Sequence, residues 1–270
     1  HPNLLFDKYV IMMDQFVVVT SGSTPSRFSS SFNSAINLAG GYEIGVKSIF
    51  HAPVFNVTEE NDKFTVVVKG HTVSYSIPHG FYDRSCEILR AAYQVMVQYI
   101  DDPNNEKLYG VDFTTPPSFG LNAEGTSFLK LPQRAEQFKF DESPLFDVLG
   151  CYIDTSDANK IQIEDFPLKT TTDCGFLYSD SVKHSIINNS FARLLCCVPL
   201  YSTKGYNYYE FINPEYKPLS VNSFTDLSFV ITDHNGEDIK FDHSQGCGNA
   251  CDSVKLPTIL NLHIRRTKSD

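Results

Sequence analysis

Apolar side chains recur at every second position in run after run along this chain, and a half-buried β-strand is the local structure that uses such a pattern. Tyr42, Ile44 and Val46 alternate with Glu43, Gly45 and Lys47, following Phe32, Ile36, Leu38 and the Gly40-Gly41 pair. Phe64, Val66 and Val68 alternate up to Lys69-Gly70, and Val73, Tyr75 and Ile77 alternate away from it. Those two runs predict strands returning on each other across a short turn, with Pro78 and Gly80 ending the second. Strands are expected again over Gly175–Ser179, Leu194–Leu200, Leu227–Thr232 and Glu237–Phe241, and around Leu260, Leu262 and Ile264. The side chains that fill these runs agree: 21 Phe and 14 Tyr against 3 Met and no Trp favour a pleated, half-buried surface over a helix.

One segment breaks the pattern. From Asp83 to Ile100 the apolar residues Leu89, Ala92, Tyr93, Met96 and Ile100 fall three and four apart, which predicts an amphipathic helix with Asp83 as its cap and Asp102-Pro103 as its stop. Ser143–Gly150 reads as one or two helical turns closed by glycine.

Asn235-Gly236 predicts a two-residue type I′ turn, since both central positions need positive φ. That closure sets Val230 opposite Phe241 and Thr232 opposite Ile239, with Leu227, Phe229 and Ile231 on the other face. Both faces are then partly apolar, so the second needs a cover, from within the domain or from a neighbouring subunit. Leu227, Phe229 and Ile231 are therefore the subunit-interface candidates.

No segment repeats and no linker separates two cores, so many short strands, one helix and long connections predict an all-β fold: a single jelly-roll β-sandwich with one amphipathic helix and elaborated loops. Its expected extent is 14–270, with loop elaboration at 108–169. Residues 1–13, which open on His1 and close on Met12-Met13, are expected to be a leader or N-terminal arm.

A net charge of −10 and a pI near 5.2 argue against a protein that grips nucleic-acid phosphates. The basic run Arg265-Arg266-Thr267-Lys268 fits a solvated chain end, or a contact with packaged nucleic acid or an acidic subunit. No stretch reaches the ~18 apolar residues of a membrane span, and no secretory signal is evident, so the sequons at Asn56 and Asn188 carry no weight. Seven cysteines without repeated spacing predict reduced, mostly buried thiols and synthesis in the cytosol.

Signatures of catalysis are scarce: GxSxG, HExxH, GxxxxGK[ST] and GxGxxG after a strand are all missing from the sequence. His243, Cys247 and Cys251 fall four residues apart in a glycine-containing loop and make a weak metal candidate. The spacing is not that of ribbon or finger sites and a fourth ligand is not evident, leaving a Cys247–Cys251 disulfide or a plain loop as alternatives. The acidic stretch Asp233–Asp238 lacks the span and closing Glu of a calcium-binding EF-hand and reads as a hairpin tip. Cys86 or Cys174 as a nucleophile would need a histidine brought alongside by the fold. No catalytic residue, metal or cofactor is therefore assigned, and a non-enzymatic role is expected. A cupin-like metalloenzyme would need inward-facing His and Glu that these strands do not carry.

A family resemblance runs along most of the chain. Asp14–Val19, Ser30-Ser31-Phe32 and Ile36–Ile49 resemble the opening of the penton-type minor capsid proteins of Polinton-like viruses, adintoviruses and virophages, with Tyr42 where that family has Trp. Ile77-Pro-His-Gly-Phe-Tyr82 is similar to the family's approach to its amphipathic helix, and Ser143–Gly150 to its leucine-rich turn. Phe176–Asp180, Asn189–Leu195, Phe211–Pro214, Pro218-Leu219 and the Leu227–Phe241 segment follow in the family's order. Each piece is short, and their collinearity over Asp14–Lys268 carries the likeness. The resemblance implies a single jelly roll whose five copies close a ring at an icosahedral vertex and contact double-jelly-roll major capsid subunits, with a host receptor as a further partner. A jelly-roll binding module, such as a receptor- or glycan-binding head of a virion, shares the same strand pattern.

Overall fold

The computed structural model describes residues 14–22, 24–38, 41–68, 71–100, 117–121, 126–130, 135–138, 144–149, 153–154, 160–168, 172–187, 190–242 and 256–267. The N-terminal stretch 1–13, the turn Lys69-Gly70, the helix stop Asp102-Pro103, and the loop carrying His243, Cys247 and Cys251 lie outside them.

Two antiparallel sheets face each other. The first joins β1 (Gln15–Thr20), β18 (Ile259–Arg266), β3 (Tyr42–His51) and β15 (Asn207–Glu210) in that order, with the short β16 (Lys217–Pro218) also on β3. The second joins β14 (Leu194–Pro199), β11 (Cys174–Ser179), β17 (Ser223–Thr232) and β2 (Arg27–Asn37). Leaving β16 aside and counting along the chain, the first of these eight strands pairs with the eighth, the second with the seventh, the third with the sixth and the fourth with the fifth. That nested pairing is an antiparallel ribbon rolled so that its halves stack, which is a jelly roll. The all-β expectation holds on the hydrogen-bond register itself.

The alternation explains why the sheets stack. Val17, Val19, Ile44, Val46, Ile49, Leu260, Leu262 and Ile264 point inward from the first sheet, and Phe28, Leu177, Val198, Leu227, Phe229 and Ile231 from the second, forming one buried cluster. Gly175 has a packing reason: a Cβ there would lie 3.0 Å from side-chain carbons of both Ile231 and Leu200, so the inner layer closes over bare backbone.

A second core sits between the third and fourth sandwich strands. It contains the sheet of β4 (Lys63–Val68), β5 (His71–Ser76) and β8 (Ala135–Phe138), and the sheet of β6 (Ser118–Leu121), β7 (Ser127–Lys130), β9 (Ile153–Asp154) and β10 (Lys160–Ile163). Helices α1 (Ser85–Ile100) and α2 (Pro144–Leu149) supply Ile88, Leu89, Ala92, Met96, Leu145 and Leu149 against Phe64, Tyr75, Leu129, Ile161 and Ile163. Its buried residues run from Val57 to Leu168, so the added unit begins well ahead of residue 108. The β4 and β5 strands return on each other as expected, with Val68 opposite His71. Alternation announced its buried face but not which core would cover it.

Two local expectations need correction. Helix α1 is closed by Glu87, whose carboxylate accepts the Asp83 N–H at 2.9 Å, in place of the expected cap from Asp83 itself. The tip at Asn235-Gly236 is not a two-residue type I′ turn. Asp233 N–H donates to the Glu237 carbonyl, Gly236 N–H donates back to the Asp233 carbonyl, and Gly236 has positive φ, at 87°. This three-residue loop sets Thr232 opposite Asp238, one residue off the expected register. The Asp233 carboxylate selects it by accepting the N–H groups of Asn235 and Glu237 at 2.8 and 2.9 Å. The return segment Glu237–Phe241 is not a strand: Phe241 bridges to Val54, while Val230 pairs with Tyr178 and Arg27 on the two strands flanking β17.

His51 is 1 % exposed, packs beside the Phe241 ring, and places Nδ1 2.7 Å from the Ala52 carbonyl, to which the neutral tautomer donates. Burial pushes its pKa below the usual histidine value. The unfolded chain then takes up a proton near pH 6.5 that the folded chain refuses, so this part of the stability is present above that pH and drains away as pH falls. Thermal unfolding should show a lower Tm at pH 5.5 than at pH 7.5, and the gap should shrink in His51→Gln. The lowered carboxylates Asp62, Glu87 and Asp165 lose their contributions only at more acidic pH.

Candidate functional site

The outward face of the first sheet carries the most unusual surface. On β1 the inward Val17 and Val19 alternate with Phe16 and Val18, which are 71 % and 62 % exposed. β1 is an edge strand of its sheet among the described residues, paired to β18. Phe16 lies opposite His263 and stacks on its ring at 4.6 Å. His263 also meets Tyr216 edge to face, with the tyrosine hydroxyl 2.7 Å from Nδ1. Asp14 Oδ2 stands 3.4 Å from Nε2, within ion-pair distance but not aligned as a hydrogen bond. Tyr216 reaches this place because residue 45 is glycine: a Cβ there would lie 3.0 Å from the tyrosine ring. Arg265 then covers Tyr216 at 3.4 Å from the ring centre and pairs with Glu43 at 2.5 Å.

Farther along the same face, Phe50 on β3 meets Tyr208 of β15 at 4.5 Å in a tilted contact and stacks with Tyr206 at 5.7 Å. Tyr208 is 52 % exposed. A second apolar pair, Ile186 and Phe191, faces across the small hairpin of β12 (Ser185–Ile187) and β13 (Ser190–Ala192), with both side chains more than 70 % exposed. Isolated exposed apolar residues are ordinary, whereas Phe16 and Val18 share one face of an edge strand and Ile186 and Phe191 face each other across a two-stranded hairpin.

Leu227, Phe229 and Ile231, the interface candidates, are 0 %, 1 % and 0 % exposed and belong to the chain's own sandwich core. Their face is covered from within by the first sheet, so they are not available to a neighbour. The exposed set Phe16, Val18, Tyr208, Ile186 and Phe191 was not singled out. Its one signal was the unbroken apolar run from Phe16 to Val19, which marks a strand apolar on both faces.

Chemistry for catalysis is thin. Ser76, Asp62 and His79 adjoin, but the carboxylate sits in the middle: Asp62 Oδ2 accepts from the Ser76 hydroxyl and lies 3.0 Å from His79 Nε2. An acyl-transfer relay needs the imidazole between hydroxyl and carboxylate, where it can take the proton. These bonds hold the Asp62 carboxyl below its ordinary pKa against the opposing effect of burial, and tie Asp62 to the start of β5's exit turn. Cys86 has its pKa raised by burial and by Asp165, the reverse of what an activated thiolate requires. Of the four described cysteines, Cys196 is buried, Cys86 half-buried, and Cys174 and Cys197 exposed, so the expectation of mostly buried thiols fails for this set. Among the described residues no three His, Cys, Asp or Glu side chains gather to hold a metal ion, and no helix is long and apolar enough to cross a membrane.

No protein-family profile matches the chain, and no curated protein sequence matches it. Among solved structures it is similar to the crystal structure of the selenomethionine-labelled mavirus penton protein, at a TM-score of 0.47 and 11 % identity, over 94 % of this chain and 99 % of that one.

Proposed function

We propose that this chain is a structural capsid subunit, with no catalytic role, that forms the pentameric vertex of an icosahedral virus or virus-like transposon particle. The observation that carries the reading is a jelly roll with eight nested strands whose edge strand β1 displays Phe16 and Val18 to solvent. A closed ring repeats one heterologous contact by rotation, so every copy offers such a strand and every copy covers one, leaving no open filament end. The collinear sequence resemblance to penton-type minor capsid proteins supports the same reading. It also supplies the second partner, a double-jelly-roll major capsid protein meeting the outer rim of the ring. Residence in the virion, after synthesis in the host cytosol, follows from that role.

The test is the native mass of the purified full-length chain. Five copies per particle, seen as rings in electron micrographs, are the expected outcome. A monomer that persists at high concentration, or binding to a glycan panel without self-association, would overturn the proposal in favour of a receptor-binding head.

A further inference from the structure

The outer face of the second sheet holds a feature the assembly reading does not use. Cys174 on β11 and Cys197 on β14 are both exposed, on neighbouring antiparallel strands. The register sets Phe176 opposite Cys197 and Cys174 opposite Pro199, so the two cysteines are diagonal neighbours on one face of the sheet. Burial, and after it the neighbouring Cys197 thiol, hold the Cys174 pKa above its ordinary value. Cys196, the next residue, turns inward opposite Leu177 and is 5 % exposed, which keeps it out of solvent's reach. β14 is an edge strand of its sheet among the described residues, paired to β11.

We infer that Cys174 and Cys197 form a thiol–disulfide site that staples edge strand β14 to β11 when the protein meets an oxidising, low-molecular-weight disulfide such as oxidised glutathione. Two exposed thiols on one face of neighbouring strands, with no third ligand gathered around them among the described residues, are arranged for pairing with each other rather than for holding a metal. Diagonal neighbours stand about 7–8 Å apart at Cα, just beyond the span of an unstrained disulfide, so closing the bond draws β14 and β11 together by roughly an ångström.

The chemistry balances as two exchanges. The Cys197 thiolate attacks one sulfur of oxidised glutathione, forming a mixed disulfide and expelling one glutathione thiolate. The Cys174 thiolate then attacks the Cys197 sulfur, forming the Cys174–Cys197 bond and expelling the second glutathione. Two protein thiols are oxidised, one glutathione disulfide is reduced to two thiols, and the two protons released by the cysteines end on the leaving thiolates. Burial and the neighbouring thiol hold Cys174 above its ordinary pKa, so the closing step is the one slowed at neutral pH.

The test is to incubate the reduced full-length protein with oxidised glutathione and map disulfides by mass spectrometry after digestion without reductant. The expected result is a Cys174–Cys197 bridge with no glutathione retained, closing faster as pH rises from 7 to 9 by up to about tenfold per unit. The bridged form should melt roughly 5–10 °C higher, as expected for a loop of this length (residues 174–197). Cys174→Ser and Cys197→Ser should each instead carry one glutathione on the remaining partner, which keeps the test decisive without depending on stability. Stable glutathione adducts on the unsubstituted protein without the bridge would overturn the inference, as would pairing of either cysteine with a different one. Retention of zinc or a similar soft metal ion by this pair would overturn it in favour of a metal site. None of these outcomes depends on whether the protein assembles into rings.

Discussion

Replacing Phe16 and Val18 together by glutamate is expected to abolish ring formation while leaving the folded chain intact. Both side chains point away from the sandwich core and are mostly exposed, so their loss removes little that holds a single copy together. In a ring each copy would bury them. Full burial of side chains of this size is worth about 1.5–3 kcal/mol each, so the apolar loss alone weakens each contact by roughly 10²–10⁴-fold, before the cost of burying two carboxylates. Native mass should show monomers at concentrations where the unsubstituted protein is pentameric, with unchanged far-ultraviolet circular dichroism. A double variant that still closes rings would move the interface away from β1.

Phe229→Ala should have the opposite profile, lost stability in the single copy whatever its partners. Phe229 is 1 % exposed, stands at the centre of β17 between β11 and β2, and meets the Phe28 ring at 5.6 Å. Truncation removes the ring and leaves a cavity between two sheets that cannot collapse independently, a change that costs about 3–5 kcal/mol. For a chain of this size that corresponds to a fall in Tm of roughly 8–15 °C. Equal losses in monomeric and assembled samples would confirm that this face is spent inside the protomer. A variant that unfolds no earlier but fails to assemble would restore Phe229 to the interface.

The contrast between these two positions shows where the sequence was legible. Alternation located β3, β4, β5, β11, β14, β17 and β18 because a period of two needs only local order to be read. It also put Leu227, Phe229 and Ile231 on one face of a strand. It did not say what covered that face, because the covering residues, Val17, Val46 and Leu262 among them, come from strands distant in the chain. The same limit explains the second core: nothing local in Phe64–Ile77 distinguishes a strand packed on α1 from one packed on the opposite sheet. At Asn235-Gly236 the dipeptide favoured one turn, and the Asp233 side chain two residues earlier selected another. Strands such as β15, with the sequence Asn-Tyr-Tyr-Glu, were missed because four residues are too few for a period to register. Phe16 and Val18 were visible as residues, but exposure is a property of the finished sheet.

The nested pairing also governs how the chain is made. Strand β1 waits on β18: Val17 meets Leu262, so a nascent chain leaving the ribosome carries β1 unpaired until β18 has been synthesised. During that interval the apolar run from Phe16 to Val19 is unprotected on both faces, and contacts so distant in sequence form slowly. A chain cut short before Ile259 would leave both β1 and β3 without β18, their shared partner. Such fragments would expose unpaired strand edges and are expected to aggregate, so strand order itself sets incomplete copies apart from folded ones.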